Sequence, residues 1–315
     1  MKKQAQGERY KVKGKAQRGV AAVTAILIVA VAASAAAVML SQQAAMIDQV
    51  ALIAARAQAD QYAQAGVDWA RGILVQDLRG GPVDSLDEAW AKPIAALPVE
   101  RATVSGALTD EQGKFNVNNL VEGTRRSAPD ADAFGRLLVS LGLAPELTDA
   151  LVDWIDPDGD LAGGNGAEDA FYLSLPRPYR AANQPMVQVE ELYRVKGFDA
   201  ATVARLRPFI SALPTRTTVN INTANATVIS ALLPDVPREK VATLVRERTG
   251  KPFRSRQEII QWAQPSPVPD SLDVKSSYFT VRIQVAQDDV ELSADALLRR
   301  ADSGLASVVW RRPRY

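Results

Sequence analysis

The stretch QRGVAAVTAILIVAVAASAAAVML, Gln17 to Leu40, constrains this chain more than any other. From Val20 to Leu40 it runs 21 residues broken only by Thr24 and Ser34, enough for a helix to cross about 30 Å of hydrocarbon. Lys2, Lys3, Arg9, Lys11, Lys13, Lys15 and Arg18 precede it against a single Glu8, and the first charge after it is Asp48. That asymmetry predicts a cytoplasmic N-terminus with the bulk of the chain on the far side of the membrane. A cleaved secretory signal has support in the small-residue sites Ala33-Ser34-Ala35 and Ala35-Ala36-Ala37 and in the alanine-rich composition. A retained helix has support in the residues beyond Leu40. SQQAAMIDQVALIAARAQADQYAQAGVDWARGIL continues to Leu74 without proline, with Ile47, Val50, Ile53 and Ala54 recurring at three- and four-residue spacing. The junction Arg18-Gly19-Val20 also sets a glycine between the basic leader and the apolar run.

With 315 residues and 47% hydrophobic content, the chain can bury one or two cores. The formal charge of +1 hides a division: the first nineteen residues carry +6, which leaves 30 basic and 35 acidic residues in the remainder. A chain trimmed of its leader is mildly acidic, which argues against nucleic acid as the main partner. The absence of Cys and His excludes disulfides, thiolate nucleophiles, Cys/His zinc sites and imidazole bases. Neither G-x-S-x-G, a P-loop nor G-x-G-x-x-G occurs, and no carboxylate, hydroxyl or amine set is arranged for catalysis.

After Gly80-Gly81-Pro82 the pattern alternates, and PVERATVSGALTDEQGKFNVNNL predicts a β-hairpin from about Val99 to Val117 turning at Asp110–Gly113. The C-terminal end predicts three strands, with Gln287-Asp288-Asp289 as one turn and Phe279, Val281, Ile283 and Val285 on the core face. Between them, from about Val121 to Asp270, three stretches share one pattern of helix, tight turn and helix: LLVSLGLAPELTDALVDWI, LYRVKGFDAATVARLRPFI and ISALLPDVPREKVATLVRE. Leu143, Phe198 and Val236 mark the turns, and Leu151, Leu206 and Leu244 share one position in the second helices. Such units bury themselves only by stacking, which predicts an α-domain.

This pattern resembles the helix-hairpin-helix and sterile-alpha-motif-like group, some members of which bind DNA, so a DNA-binding protein is the competing function. The turns argue against it. Leu141-Gly142-Leu143, Lys196-Gly197-Phe198 and Pro234-Asp235-Val236-Pro237 lack the paired glycines that bring backbone amides to a phosphate. The cluster Lys240, Arg246, Arg248, Lys251, Arg254 and Arg256 reads as a solvated helix face.

In DWIDPDGDLAGGNGAEDAFY, Asp156, Asp158 and Asp160 alternate and a glycine-rich bend returns Glu168 and Asp169. Five carboxylates this close repel unless they spread into solvent or surround a cation. Hard oxygens on a bending loop suit Ca²⁺, although Leu161 and Ala167 stand where an EF-hand needs Gly and Glu. An ordinary acidic surface loop is the alternative, and paired carboxylates of a glycosidase a more distant one.

The basic leader ending in Gly19 and the retained apolar helix resemble prepilin-type proteins, whose leader a membrane prepilin peptidase removes. The resemblance implies cleavage between Gly19 and Val20. Pilins and most pseudopilins then carry Glu at the fifth mature position, where this chain has Thr24. The runs DEQGKFNVNNL, GAEDAFYLSLPRPYRAANQPMVQVEELYRVKGFD and VNINTANATVISALLP resemble, in that order, the K-type minor pseudopilins of type II secretion systems, a group that also lacks the Glu. The resemblance implies an α+β fold: a long N-terminal transmembrane and amphipathic helix, a pilin-like domain with an antiparallel sheet, and a large inserted all-α domain. The corresponding division is a leader at 1–19, a helix at 20–78 that spans the membrane at 20–40, pilin-like parts at 79–120 and 271–315, and an inserted α-domain at 121–270. It further implies structural Ca²⁺ at Asp156, Asp158, Asp160, Glu168 and Asp169, and I- and J-type minor pseudopilins as partners in a periplasmic pseudopilus tip. The location implied is the bacterial inner membrane, with a single pass; no enzymatic activity and no nucleic acid are expected. Ile47, Val50, Ile53 and Ala54 then form the face that packs on neighbouring subunits.

Overall fold

The computed structural model describes residues 13–314. Residues 1–12 of the expected leader lie outside the described residues. One helix, α1, runs Lys13–Gly80 because nothing in that span breaks it. It stops where Gly81 takes a φ of 154° and Pro82 follows, a conformation and a ring that a helix cannot continue through.

The chain divides into two compact units, one ending at Gln58 and the other spanning Ala59–Tyr315. In the first, every residue from Gly19 to Ala54 is exposed, and its most apolar 18-residue window has a mean hydropathy of 2.6. In the second, α1 turns Ala59, Ala63, Val67, Ala70 and Leu74 inward at three- and four-residue spacing, all fully buried. They meet a five-stranded antiparallel sheet of β1 (Ile94–Val99), β2 (Ala102–Asp110), β3 (Tyr278–Gln287), β4 (Val290–Arg300) and β5 (Ala306–Arg314), in the order β1-β2-β3-β4-β5. Phe279, Val281, Ile283 and Val285 are buried as their alternation predicts, and Gly66 lets α1 close on Ile283, whose side chain lies 3.0 Å from where a Cβ would stand. Asp288 takes a φ of 51° in the predicted turn between β3 and β4.

Neighbours in this meander follow one another along the chain except for β2 and β3, between which residues 111–277 are inserted. The insertion carries α2 (Ala128–Ser140), α3 (Leu147–Ile155), α4 (Asp169–Leu173), α5 (Ala200–Leu206), α6 (Ala226–Leu232), α7 (Arg238–Glu247) and α8 (Arg256–Ala263). The three expected helix-turn-helix units are α2–α3, a 3₁₀ turn at Val189–Arg194 with α5, and α6–α7. Gly142 and Gly197 adopt φ of 64° and 85° at their turns, where a side chain would be strained. Leu151, Leu206, Leu244, Phe198 and Val236 all enter one core, so the repeat is a packing repeat. The insertion is not purely helical. Two-residue ladders join Phe115–Asn116 to Ile210–Ser211, Val121–Glu122 to Arg125–Arg126, and Val219–Asn220 to Leu272–Asp273. The first and last of these are parallel and pair segments some 50 to 95 residues apart, beyond the reach of local patterning.

The expected hairpin at Asp110–Gly113 is incorrect. β2 turns back on β1 through Glu100 and Arg101, with Glu100 at a φ of 53°, and its other edge pairs with β3. Asp110 is buried, accepting from Gln112 N at 2.8 Å, Thr223 Oγ1 at 2.6 Å, Ser276 Oγ at 2.6 Å and Asn220 Nδ2 at 3.1 Å. Its segment is therefore the polar hinge into the insertion.

One guanidinium joins the parts of this unit. Arg300, at the end of β4 and 3% exposed, donates to Asp77 of α1 at 2.8 Å, to Asp84 beyond α1, and to Ser276 O at 2.9 Å, and stacks on Phe279 at 5.0 Å. Asp77, Asp84 and Glu88 place carboxylate oxygens within 4.8 Å of one another. Burial pushes Asp77 up to about 6 and Asp84 up to about 7, against the pull of Arg300.

Candidate metal centre and assembly helix

Thr24 sits on the exposed first half of α1, and its Oγ1 donates to Val20 O at 3.0 Å and Ala21 O at 2.9 Å. The hydroxyl is satisfied within its own helix, whereas a glutamate at this depth in lipid would demand a positive partner. Gly19 and Val20 lie in the same uninterrupted helix. Ile47, Val50, Ile53 and Ala54 are all exposed, Ile47 to 68%, leaving an apolar stripe beyond the membrane-length segment.

The acidic loop leaves the C-terminus of α3. There Asp153, fully buried, accepts from Ala162 N and Ala167 N at 2.7 Å each, so one carboxylate gathers both ends of the glycine-rich bend. A Cβ at Gly166 would overlap that carboxylate, and one at Gly163 would overlap Asp149, which is itself paired with Arg126 at 2.7 Å. Lys196 closes the far side by donating to Gly166 O at 2.9 Å.

Inside this frame Asp156 and Glu168 are buried, and Asp156 Oδ1 and Glu168 Oε1 have no hydrogen-bond donor. Burial, then the charges of Asp158, Asp153 and Asp160, push Asp156 up to about 7. Burial and the charges of Asp153, Asp156 and Asp158 push Glu168 to about 7 as well. Asp158 and Asp160 lie at the exposed mouth, with Asp158 Oδ1 accepting from Asp160 N at 3.0 Å. Asn183, at a φ of 46°, is held by Trp154 O and Asp158 O at 3.0 and 2.9 Å, and its Oδ1 is a third buried oxygen lacking a donor. Buried acceptors left without donors are costly, and three hard oxygens sharing one frame with two further carboxylates fit a hard cation. Asp169 departs from this arrangement: it accepts from Ala181 N at 3.0 Å and faces Arg180 at 3.4 Å. Among the described residues the loop holds no three carboxylates with oxygens mutually within 4.8 Å.

Family models described as type II secretion system protein K match residues 113–215 and 219–282, which together contain the whole acidic loop. The type II secretion system protein K of Pseudomonas aeruginosa is 33% identical over 311 residues, covering 94% of this chain and 92% of its own. This chain belongs to the type II secretion system protein K family. The Aeromonas hydrophila protein of the same name is 31% identical over 309 residues, covering 90% of this chain and 93% of its own. The solved GspK-GspI-GspJ complex from the enterotoxigenic Escherichia coli system contains a chain that superposes with a TM-score of 0.71 at 25% identity, covering 82% of this chain and 96% of that one.

As a protein K family member the chain is a minor pseudopilin of the secretion system, and the one helix among the described residues that is long and apolar enough to cross a membrane fits a single-pass anchor. The DNA-binding alternative finds no support, and the basic cluster behind it is partly structural. Arg248 is buried, donating to Ile221 O at 2.7 Å and to Ala224 O; Arg256 donates to Pro269 O, Leu272 O and Asp270. Patterning at a charged helix end cannot separate a guanidinium that caps carbonyls from one in water. Of the five acids picked out in the sequence, Asp156, Asp158, Asp160 and Glu168 lie near enough for their charges to act on one another without gathering three oxygens within 4.8 Å, and Asp169 is engaged by Ala181 and Arg180. Asp153 and Asn183 were missed. Asp153 lies three residues before Asp156, one helical turn away, which was the legible signal; Asn183 carried none.

Proposed function

We propose that this minor pseudopilin is trimmed between Gly19 and Val20 by prepilin peptidase and stays in the bacterial inner membrane, N-terminus cytoplasmic and the remaining bulk periplasmic. With I- and J-type minor pseudopilins it forms the tip of the periplasmic pseudopilus, helps start its assembly and limits its length. The observation that carries this reading is Thr24, whose hydroxyl is satisfied by Val20 O and Ala21 O. A helix that carries no carboxylate at this position asks for no positive partner on a subunit above it, which suits a terminal position. The stripe Ile47, Val50, Ile53 and Ala54 packs on the neighbouring helices. The five-stranded sheet with α1 is the pilin-like part, and residues 111–277 are the bulky insertion that discourages further stacking. The role is structural, with no catalysis.

Calcium belongs to the same reading. Asp156, Asp158, Asp160 and Glu168, with Asn183 Oδ1, would hold the ion, which supplies the positive charge these oxygens lack and fastens the loop to the insertion.

The deciding experiment is the N-terminal sequence and mass of the protein from its own cells, with and without prepilin peptidase. A start at Val20 that disappears without the peptidase is expected. A start near Ala36 or Val38, indifferent to the peptidase, would make Val20–Leu40 a discarded signal and end the tip assignment.

A further inference from the structure

Thr280 and Arg282 alternate with the residues of β3 that face α1, so they lie on the sheet's other face. There the insertion and the sheet enclose a cleft of about 580 Å³ whose apolar floor includes Leu213, Leu297 and Trp310. Four features of this cleft are independent of the secretion-system assignment. Ser211 is 2% exposed and its Oγ has no hydrogen-bond partner; Ile210 before it enters the insertion core, so alternation turns Ser211 toward the sheet. Trp310 Nε1 is likewise buried without an acceptor. Of the four cations lining the cleft, Lys114, Arg207 and Arg282 pair with Glu111, Glu190 and Asp295 at 2.8 to 2.9 Å. Arg312 instead rests over the Trp310 ring at 4.5 Å and donates to the neutral Gln188 Oε1; Asp295, its neighbour across the ladder, is the carboxylate that Arg282 engages. Finally, β5 ends the sheet, and among the described residues no strand pairs with its outer edge.

An open strand edge, an apolar floor, two donors lacking acceptors and a cation whose nearest carboxylate in the ladder pairs with another arginine together describe one class of occupant. We propose that this cleft binds an extended peptide segment bearing a carboxylate. Its backbone runs along the edge of β5, an apolar side chain covers Leu297 and Trp310, and its carbonyls accept from Ser211 Oγ and Trp310 Nε1. Its acidic side chain takes Arg312. Pro313, which has no N–H, ends the donor ladder and limits the paired stretch to a few residues.

The test uses the full chain in detergent micelles and a fluorescein-labelled, acetylated eight-residue peptide alternating valine and threonine around one central glutamate. Anisotropy titration compares it with the same peptide carrying glutamine. The glutamate peptide is expected to bind about tenfold tighter, since an ionic hydrogen bond is worth about that factor over a neutral one. Arg312→Gln is expected to erase the difference, and Trp310→Phe to weaken both peptides. Melting curves check the fold of each variant, and should Trp310→Phe fail to fold, Arg312→Gln decides alone. Equal binding of the two peptides, a preference that survives Arg312→Gln, or no saturable binding at about 1 mM would overturn the proposal.

Discussion

Replacing Arg300 by methionine keeps most of its buried volume and removes the one positive charge among Asp77, Asp84 and Glu88. Breaking a buried ion pair from one side costs about 3–5 kcal/mol, because the charge left behind has neither water nor partner. In a unit the size of Ala59–Tyr315, each kcal/mol moves the melting temperature by about 2–4 °C, so a drop of about 6–20 °C is expected at pH 8. The carboxylates can relieve this by taking up protons. Asp77 and Asp84 are already raised to about 6 and 7 with Arg300 in place, above the ordinary carboxylate value of about 3.9 in the unfolded chain. The folded state therefore binds more protons than the unfolded state between those limits. The stability this contributes is complete below about pH 4 and lost as pH rises through 6 and 7. Without the guanidinium the window moves upward, so the variant recovers at pH 5 part of what it lacks at pH 8. Calorimetry of the full chain in micelles at both pH values, with a chelator present so that no cation replaces the guanidinium, measures the two gaps, in which the acidic loop titrates alike for parent and variant and cancels. A gap that is the same at pH 5 and pH 8, or a variant as stable as the parent, would refute the reasoning.

Calcium at a hundredfold excess over its dissociation constant is expected to stabilise the chain by about 2.7 kcal/mol, and chelation to remove the effect. Asp156→Asn is expected to lose most of that gain in a calorimetric titration, while Asp169→Asn keeps it, because Asp169 is turned toward Ala181 and Arg180. Without calcium, Asp156 and Glu168, both raised to about 7, make the loop more stable at pH 5 than at pH 8; the protection of the Ala162 and Ala167 amides relative to their intrinsic exchange rate at each pH should rise accordingly. Gly166→Ala forces the Asp153 carboxylate off its two amides, costs about 1–3 kcal/mol in a denaturant melt, and abolishes calcium-dependent stabilisation. Gly106→Val sets a side chain 2.8 Å from Arg282 O and Ile283 Cδ1, so spectroscopic melting should show the joint between sheet and helix weakened by about 1–3 kcal/mol.

What the sequence determined by itself is whatever repeats over a few residues. The uninterrupted α1, the alternation that buries Phe279 through Val285, the three helix-turn-helix units and the glycine turns were all readable, because helix period, strand period and left-handed turns are local properties. The acidic loop was readable for the same reason: carboxylates crowded into one short run require either solvent or a cation. The tertiary structure decided how distant segments meet. β2 pairs with β3 across an insertion of residues 111–277, which converts the expected hairpin turn at Asp110 into a buried hinge. Arg248, Arg256 and Arg300 look alike as letters, yet two cap carbonyls and one neutralises acids from α1 and the segment beyond it. Asn183 joins the loop acids, and Ser211 and Trp310 line one cleft, only because the core brings their elements together. A side chain's role depends on which charges and donors surround it once water is excluded. That environment is assembled by contacts between segments that are 13 to 223 residues apart, which no local pattern records.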